Sequence, residues 1–446
     1  MSNHSNIPSD IEPLLARPVA VLGYGVSGQA LGGLLARIGA DFVFYDTKGR
    51  NAVHLFDAAA AAGHSLVLYS PGFAQGHPWL EAARVAGCAL MGELEFASRF
   101  WRGRLICITG TNGKTTMTEL VAAVLNLSGQ KALCVGNIGR PLSDIALRPE
   151  CEGWTAVCET SSFQAESLDK FRADSLIWVN FFNNHLDRHG DAKGYFAVKW
   201  KLVERLRGTE LVLGESVAAA AERFGYELPD FAQVVGPGDY VPWTMPPDSA
   251  FGTRRQAENL LLVRRWWATS GLDTELVRRA AISLTPLPHR LNRIPAPGGV
   301  TFWNDSKATN YEACIGALEN FDSKVIWIGG GMDRGETPED LASAVAPRVR
   351  LAVLTGQCAP ELARCLDLRG VPSICADSLK DAVLAAWQNA QKGENILFSP
   401  GHSSHDSFRD YTERGRFFES VVAGLGDPND HLPKSDEQLS NPQTQS

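Results

Sequence analysis

No uninterrupted apolar run in this chain reaches the roughly 18 residues that a membrane-spanning helix needs, so membrane insertion is not expected. Met1 to Pro13 is polar and holds no apolar core of the kind that marks a secretory signal. Basic residues do not dominate. There are 42 Lys and Arg against 50 Asp and Glu, a net charge of −8. That balance disfavours a nucleic-acid surface, and an anionic ligand must be met by local basic sites. The nine cysteines form no close pairs beyond the loose spacings Cys151/Cys158 and Cys358/Cys365. An odd, unpatterned set argues against a disulfide framework or a cysteine zinc site and points to a reducing cytoplasm. There is no HExxH. His185 and His189 stand four apart, but Gly190 follows at once, so a zinc pair is not expected.

What is present is an ordinary globular composition, 44 % apolar and 21 % charged, over 446 residues. That length suggests about three domains. The stretch around which the rest is arranged is Leu105-Ile106-Cys107-Ile108-Thr109-Gly110-Thr111-Asn112-Gly113-Lys114-Thr115-Thr116. An apolar β-branched run leads into a small-residue loop, and a helical pattern follows to Leu127. That is the order strand, phosphate loop, helix. Glycines let the backbone approach a phosphate, and the helix N-terminus adds partial positive charge. Lys114 would reach the β- and γ-phosphates, and the Thr115 hydroxyl would sit on Mg²⁺. The generic motif wants a glycine five residues before Gly113, where Ile108 stands, so a plain glycine-rich turn is the alternative.

Upstream, Pro18 to Leu22 reads as a strand, followed by Gly23-Tyr24-Gly25-Val26-Ser27-Gly28, a helix to Ile38 and a second strand from Asp41 to Tyr45 ending at Asp46. This is a GxGxxG fingerprint in a βαβ setting, suited to a dinucleotide or to another nucleotide diphosphate. Thr47 and Lys48 follow Asp46. Ser70-Pro71-Gly72 closes a short strand from Ser65 to Tyr69, and is either an ordinary turn or part of the ligand rim.

Downstream of the phosphate loop come Gly136-Asn137-Ile138-Gly139, then a strand from Thr155 ending in Glu159-Thr160-Ser161-Ser162-Phe163-Gln164. A strand-end carboxylate near a phosphate loop is a natural Mg²⁺ ligand, or else a solvated Glu. Asn184-His185-Leu186-Asp187-Arg188-His189-Gly190 precedes a helix with Tyr195 and Lys199; by sequence, Lys199 is a helix-surface lysine. Residues 210–250 are little patterned, and a helix from Gln256 to Ser270 carries Asn259. From Pro288-His289-Arg290 onward strands alternate with helices, with every polar cluster after a strand. Asn304 to Asn310 is expected to open a helix capped by Asp or Ser. From Asp427 the chain is polar and unpatterned, and disorder is expected there.

These pieces together resemble the Mur ligase family, from Val19 to about Gly424. Four motifs carry the resemblance: Thr109 to Thr115; Glu159 with Ser161 to Gln164; Asn184 to Gly190 with Lys199; and Leu287-Pro288-His289-Arg290 with Asn304-Asp305-Ser306-Lys307-Ala308-Thr309-Asn310. The last pair is similar to the D-glutamate-adding branch. The resemblance implies a cytoplasmic, monomeric α/β enzyme in three domains: an N-terminal Rossmann-like UDP-substrate domain (1–100), a central P-loop ATPase-like domain with a parallel sheet (101–287) and a C-terminal Rossmann-like amino-acid domain (288–428), with a tail at 429–446.

It also implies an activity, the ATP-dependent joining of D-glutamate to UDP-N-acetylmuramoyl-L-alanine through an acyl phosphate, for peptidoglycan. ATP would be held by Gly110, Thr111, Asn112, Gly113, Lys114, Thr115, Thr116, Asn259, Arg290 and Asp305. Thr115 and Glu159 would hold one Mg²⁺. His185 and a carbamylated Lys199 would hold a second. Asn137 and His185 would steady the reacting carboxylate, with Lys114 on the phosphates. Gly25, Asp46, Thr47, Lys48, Ser70 and Asn137 would take the UDP substrate. Lys307, Thr309, Arg334, Ser404 and Tyr411 would take D-glutamate. The family usually has a His-Asn pair near the adenine, where this chain has Arg255-Gln256 and then Asn259. His405 stands where an apolar residue is usual, and Tyr411 where many members have Phe.

Three other readings compete. A Mur-type ligase for a different amino acid shares the first three motifs but usually differs in the last pair. An NAD-dependent oxidoreductase would use the Gly23 fingerprint but leave Lys114, Glu159 and Lys199 without work. A non-catalytic nucleotide switch would not need Lys114, Glu159, His185 and Lys199 together.

Overall fold

The computed structural model describes residues 7–426 except 50, 240–244 and 247–248. The tail expected to be disordered lies outside the described residues. Among the described residues three sheets are present, and the chain divides into two compact units at residues 285/286.

The first unit holds two all-parallel sheets. One has the order β2-β1-β3-β4, from β1 (Val19–Leu22), β2 (Phe42–Tyr45), β3 (Leu66–Tyr69) and β4 (Ala89–Gly92). The other has six strands: β5 (Leu105–Thr109), β6 (Ala132–Gly136), β7 (Thr155–Glu159), β8 (Ala173–Trp178), β9 (Leu206–Gly214) and β10 (Ala232–Val235). Their order is β10-β9-β8-β5-β7-β6, so β5, which feeds the phosphate loop, is central and flanked by β7 and β8. Strands β1, β3, β5 and β7 are buried at every position, as continuous apolar runs covered on both faces should be.

These two sheets share a core. One cluster of buried side chains runs from Val19, Leu31 and Leu66 through Phe96 and Phe100 to Cys107, Trp178 and Phe196. Glu95 reinforces the junction. Its carboxylate accepts the backbone N–H groups of Asp169, Lys170 and Phe171 at 3.0–3.1 Å and pairs with Arg99 at 3.0 Å.

The second unit has one sheet of order β11-β12-β16-β13-β14-β15, from β11 (Asn292–Pro295), β12 (Thr301–Asn304), β13 (Val325–Gly330), β14 (Val349–Thr355), β15 (Ser373–Cys375) and β16 (Asn395–Gly401). Only the edge strand β11, which ends in Pro295, runs antiparallel. An edge tolerates proline, which has no N–H for the ladder.

Two expectations need correction. The helix after β12 does not begin near Asp305; it spans Tyr311–Leu318, and Asn310 caps it by accepting the Ala313 N–H at 3.0 Å. Asp305 is used elsewhere, as described below. The segment after residue 205, little patterned in sequence, holds β9, a helix over Glu215–Phe224 and β10. The first half of β9 alternates half-buried and exposed positions and holds charged residues, which hid it in the sequence. Lys199 is not on a helix surface. It is 1 % exposed.

Candidate active site

The phosphate loop joins β5 to the helix Lys114–Leu127. Gly113 adopts φ +80°, and a Cβ there would lie 2.7 Å from Asn259 Nδ2, so the loop and Asn259 fit only around glycine. Asn180, just beyond β8, shapes the loop from below. Its Oδ1 accepts the N–H groups of Thr111 at 3.1 Å and Asn112 at 2.9 Å. In the sequence Asn180 is marked only as a polar residue two positions past a central strand. Lys114 folds back over the loop and donates to the carbonyls of Gly110 at 3.0 Å and Thr111 at 2.9 Å.

Next to the loop lies the end of β7. Glu159 is 2 % exposed. One oxygen accepts the Asn137 side-chain N–H at 2.8 Å, and the other, Oε2, is buried without a hydrogen-bond partner among the described residues. An ionised oxygen shut away without a donor is costly, and a cation removes that cost. The donor chemistry is therefore right for Mg²⁺, which takes hard oxygens and keeps phosphate and water oxygens for its other positions.

Lys199 comes up from the helix Ala192–Glu204. Its Nζ donates to Thr109 Oγ1 at 2.9 Å and to the Gly110 carbonyl at 3.1 Å, and the Thr109 hydroxyl passes its own proton to the Thr160 carbonyl at 2.7 Å. Burial pushes the Lys199 ammonium well below lysine's ordinary value. Lys114 adds to the shift and Glu159 opposes it. The signal for a buried Lys199 was in the sequence after all, since it lies on the helix stripe of Tyr195 and Leu202, at i+4 and i−3.

His185 adopts the left-handed region, φ 54°, as N-cap of the single turn Leu186–His189. Its ring lies 4.8 Å from Phe163 and 6.2 Å from Tyr195, and the Tyr195 ring is 5.2 Å from Lys199 Nζ. One aromatic ring thus separates His185 from Lys199. His189 sits against Ser162 at 3.0 Å and Glu166 at 3.5 Å, and burial lowers its pKa.

In the first sheet the fingerprint is closely packed. A Cβ on Gly28 would lie 1.8 Å from the Gly23 carbonyl, so no other residue fits. Asp46 accepts the N–H groups of Tyr24 at 2.8 Å, Lys48 at 2.8 Å and Gly49 at 3.0 Å, which hold its carboxyl below the ordinary aspartate range, Tyr24 most. It ties the fingerprint turn to the end of β2. Gly25, Thr47 and Lys48 are exposed around it, and Ser70 packs against Gly23.

In the second unit Asp305 is enclosed. It accepts the Leu291 N–H at 3.2 Å and the Ser399 hydroxyl at 2.7 Å, and burial raises its pKa to about 7. It braces the Arg290 segment, where His289 and Leu291 on either side both have positive φ, 62° and 53°. Lys307 Nζ lies 3.9 Å above the Tyr411 ring, and Arg334 donates to Ser403 at 2.8 Å. Thr309 is half-buried, Ser404 is 2 % exposed and His405 is exposed. Lys307, Arg334 and Ser404 thus come from loops after β12, β13 and β16, and Tyr411 opens the helix Tyr411–Ala423.

Two family models match this chain, Mur ligase middle domain over residues 108–224 and Mur ligase, glutamate ligase domain over residues 289–402. The chain is 34 % identical over 442 residues to the UDP-N-acetylmuramoylalanine–D-glutamate ligase of Gloeobacter violaceus, covering 91 % of this chain and 99 % of that one. It is 32 % identical to the enzyme of the same name from Koribacter versatilis, covering 92 % and 98 %. This chain belongs to the Mur ligase family. Among solved structures it is similar to UDP-N-acetylmuramate-alanine ligase MurC from Thermotoga maritima, with TM-score 0.57 at 16 % identity, covering 91 % and 98 %. It is also similar to MurF ligase from Thermotoga maritima in complex with ADP, with TM-score 0.56 at 16 % identity, covering 85 % and 94 %. As a Mur ligase it is an ATP-dependent enzyme of peptidoglycan synthesis that works with Mg²⁺. Among the described residues no helix is long and apolar enough to cross a membrane.

Proposed function

We propose that this Mur ligase joins D-glutamate to UDP-N-acetylmuramoyl-L-alanine, the reaction named for its Gloeobacter and Koribacter relatives. The observation that carries the reading is the unpartnered Glu159 oxygen beside a phosphate loop whose Lys199 is buried against Thr109 and Gly110. An oxidoreductase has no use for either group.

A carboxylate acylates poorly and must first be activated. Its oxygen attacks the γ-phosphorus of ATP, the bond to ADP breaks, and an acyl phosphate forms. The neutral amine of D-glutamate then attacks the carbonyl carbon, and inorganic phosphate leaves as the amide forms. Two anions approach each other in the first step, so the chain must supply positive charge and hydrogen bonds where negative charge gathers. Lys114 takes the phosphates along the N–H groups of Gly110 to Thr116. Asn137 and His185 orient the substrate carboxylate. Thr115 and Glu159 would hold one Mg²⁺, and His185 and Lys199 the other. The ions supply charge neutralisation worth several kcal/mol.

For the second ion Lys199 must be an anion. A neutral amine adds to CO₂ and releases a proton, giving a carbamate with two oxygen ligands. Burial favours that neutral amine, and its two N–H bonds already have acceptors in Thr109 and Gly110. The first sheet (1–100) serves UDP through Gly25, Asp46, Thr47, Lys48 and Ser70. Residues 101–287 serve ATP, with Asn259 against the loop. Residues 288–428 serve the amino acid through Lys307, Thr309, Arg334, Ser404 and Tyr411, and Arg290 and Asp305 act on ATP, Asp305 by bracing Arg290. We take the enzyme to be a cytoplasmic monomer.

The test is phosphate release from ATP with UDP-N-acetylmuramoyl-L-alanine, scanning D-glutamate against L-glutamate, L-alanine and other amino acids. Release only with D-glutamate is expected. Release with a different amino acid moves the specificity and keeps the mechanism; release with none overturns the ligase reading.

A further inference from the structure

Arg188 lies within the motif Asn184 to Gly190, yet the chemistry above gives it no task. Its guanidinium is one of the most heavily used groups in the first unit. It forms a two-pronged pair with Glu166, Nε to Oε1 at 2.8 Å and a terminal nitrogen to Oε2 at 2.7 Å. That terminal nitrogen also donates to the carbonyl of Phe73 at 2.9 Å and, more weakly, to that of Pro71 at 3.4 Å. The plane lies over the Phe163 ring, 4.2 Å from its centre. The side chains are only 14 % and 8 % exposed.

The partners fall into two groups. Pro71 and Phe73 belong to the turn after β3, closed by the Phe73 N–H on the Ser70 carbonyl at 3.1 Å; the Ser70 N–H in turn bonds to the Leu22 carbonyl at the start of the fingerprint, at 3.2 Å. Phe163 lies in, and Glu166 ends, the short helix Ser162–Ala165 after β7, which packs against the His185–His189 turn that carries Arg188 itself. Phe163 packs on His185 at 4.8 Å, and Glu166 meets His189 at 3.5 Å. A heavily buried ion pair adds little to stability compared with an apolar pair of like volume, so its value lies elsewhere. Only a planar fork can serve a carboxylate and a carbonyl together while stacking on a ring. A lysine cannot.

We infer that Arg188 is a positioning residue that holds the Ser70–Phe73 turn, at the UDP end, to the His185 turn, at the reacting end. The inference rests on the ligase reading. A substrate gripped at its nucleotide and reacting at its far carboxylate must span a fixed length, and Arg188 sets the separation of the two turns that bound it. An error of about 1 Å in such a separation costs about a hundredfold in rate.

The test compares Arg188→Ala and Arg188→Lys in the full chain. With UDP-N-acetylmuramoyl-L-alanine varied, Arg188→Ala should lose about a hundredfold in kcat/KM while the KM for ATP stays within about twofold. Added guanidinium ion should restore part of the loss, and Arg188→Lys should do little better than Ala. A kcat/KM near the parent value, an equal rise in both KM values, or no recovery with guanidinium would overturn the inference. Amide hydrogen exchange on the ligand-free chain reads the brace independently of turnover. Residues 70–73 should exchange faster in Arg188→Ala, and unchanged exchange also overturns it. If the parent releases no phosphate with any amino acid and exchange at 70–73 still rises, the ligase reading fails and the brace stands.

Discussion

The Nζ of Lys199, on the helix Ala192–Glu204, and the Oγ1 of Thr109, at the end of β5, lie 2.9 Å apart in a site closed to water. Thr109 gives its proton to Thr160, so its oxygen is free to accept from Lys199. The same amine also serves the Gly110 carbonyl. Burial favours the neutral amine, whose two N–H bonds have these two acceptors. Attack on CO₂ would use the lone pair and release one of the two N–H protons, so the carbamate nitrogen would keep one donor for Thr109 or Gly110.

Lys199→Ala should therefore abolish ligation. A short carboxylic acid added to the variant should restore part of the phosphate release by standing in for the carbamate oxygens. Full activity in Lys199→Ala would remove the carbamate from the mechanism.

Glu159→Gln separates function from stability. The buried oxygen has no donor, and leaving such a group unsatisfied costs roughly 1–3 kcal/mol. Neutralising it should leave the melting temperature of the ligand-free chain unchanged or higher, while the Mg²⁺-dependent rate collapses. A large fall in melting temperature would show instead that the carboxylate serves the fold.

Asp46→Ala would free three backbone N–H groups around the fingerprint turn. The KM for UDP-N-acetylmuramoyl-L-alanine should rise more than that for ATP in initial-rate measurements. Equal effects on both would undo the placement of the uridine end.

Asp305 gives a pH signature. Its folded pKa is raised, to about 7 from an ordinary value of 3.8, so the folded chain holds a proton that the unfolded chain releases. Its contribution to stability is full below the unfolded value and is lost as pH rises through about 7. Asp305→Asn, which cannot ionise, should gain stability relative to the parent between those limits. Denaturant melts at several pH values would read this, and a constant difference would refute it.

Thiol reactivity should be uneven. Of nine cysteines Cys375 alone is exposed, while burial pushes Cys134 and Cys358 up to about 12. A thiolate-selective reagent at pH 8 should label Cys375 first in the folded chain, as peptide mass mapping would show.

Local order told much of this from sequence. The phosphate loop, the fingerprint and Glu159 announce themselves because a strand leads straight into each. Lys199 did not, because its neighbours along the chain mix apolar and charged types, and only the three-and-four spacing to Leu202 and Tyr195 marks the buried stripe. The cap at Asn310 was misjudged because Asp305, also a good capping residue, is taken by Leu291 and Ser399 from distant segments. Arg188 was invisible as a brace for the same reason, since Phe73 lies 115 positions away.

The grip of Glu95 on the amides of residues 169–171 has a consequence for how this gene can be rearranged. Exchanging the first hundred residues for those of a relative would set a foreign surface against Phe171, Trp178 and Phe196, and would need a carboxylate at the one spot where three amides await it. A crossover at 285/286 disturbs none of these contacts. Donor and recipient sequences would therefore recombine poorly at residue 100, although that position looks like a boundary when the chain is read as text.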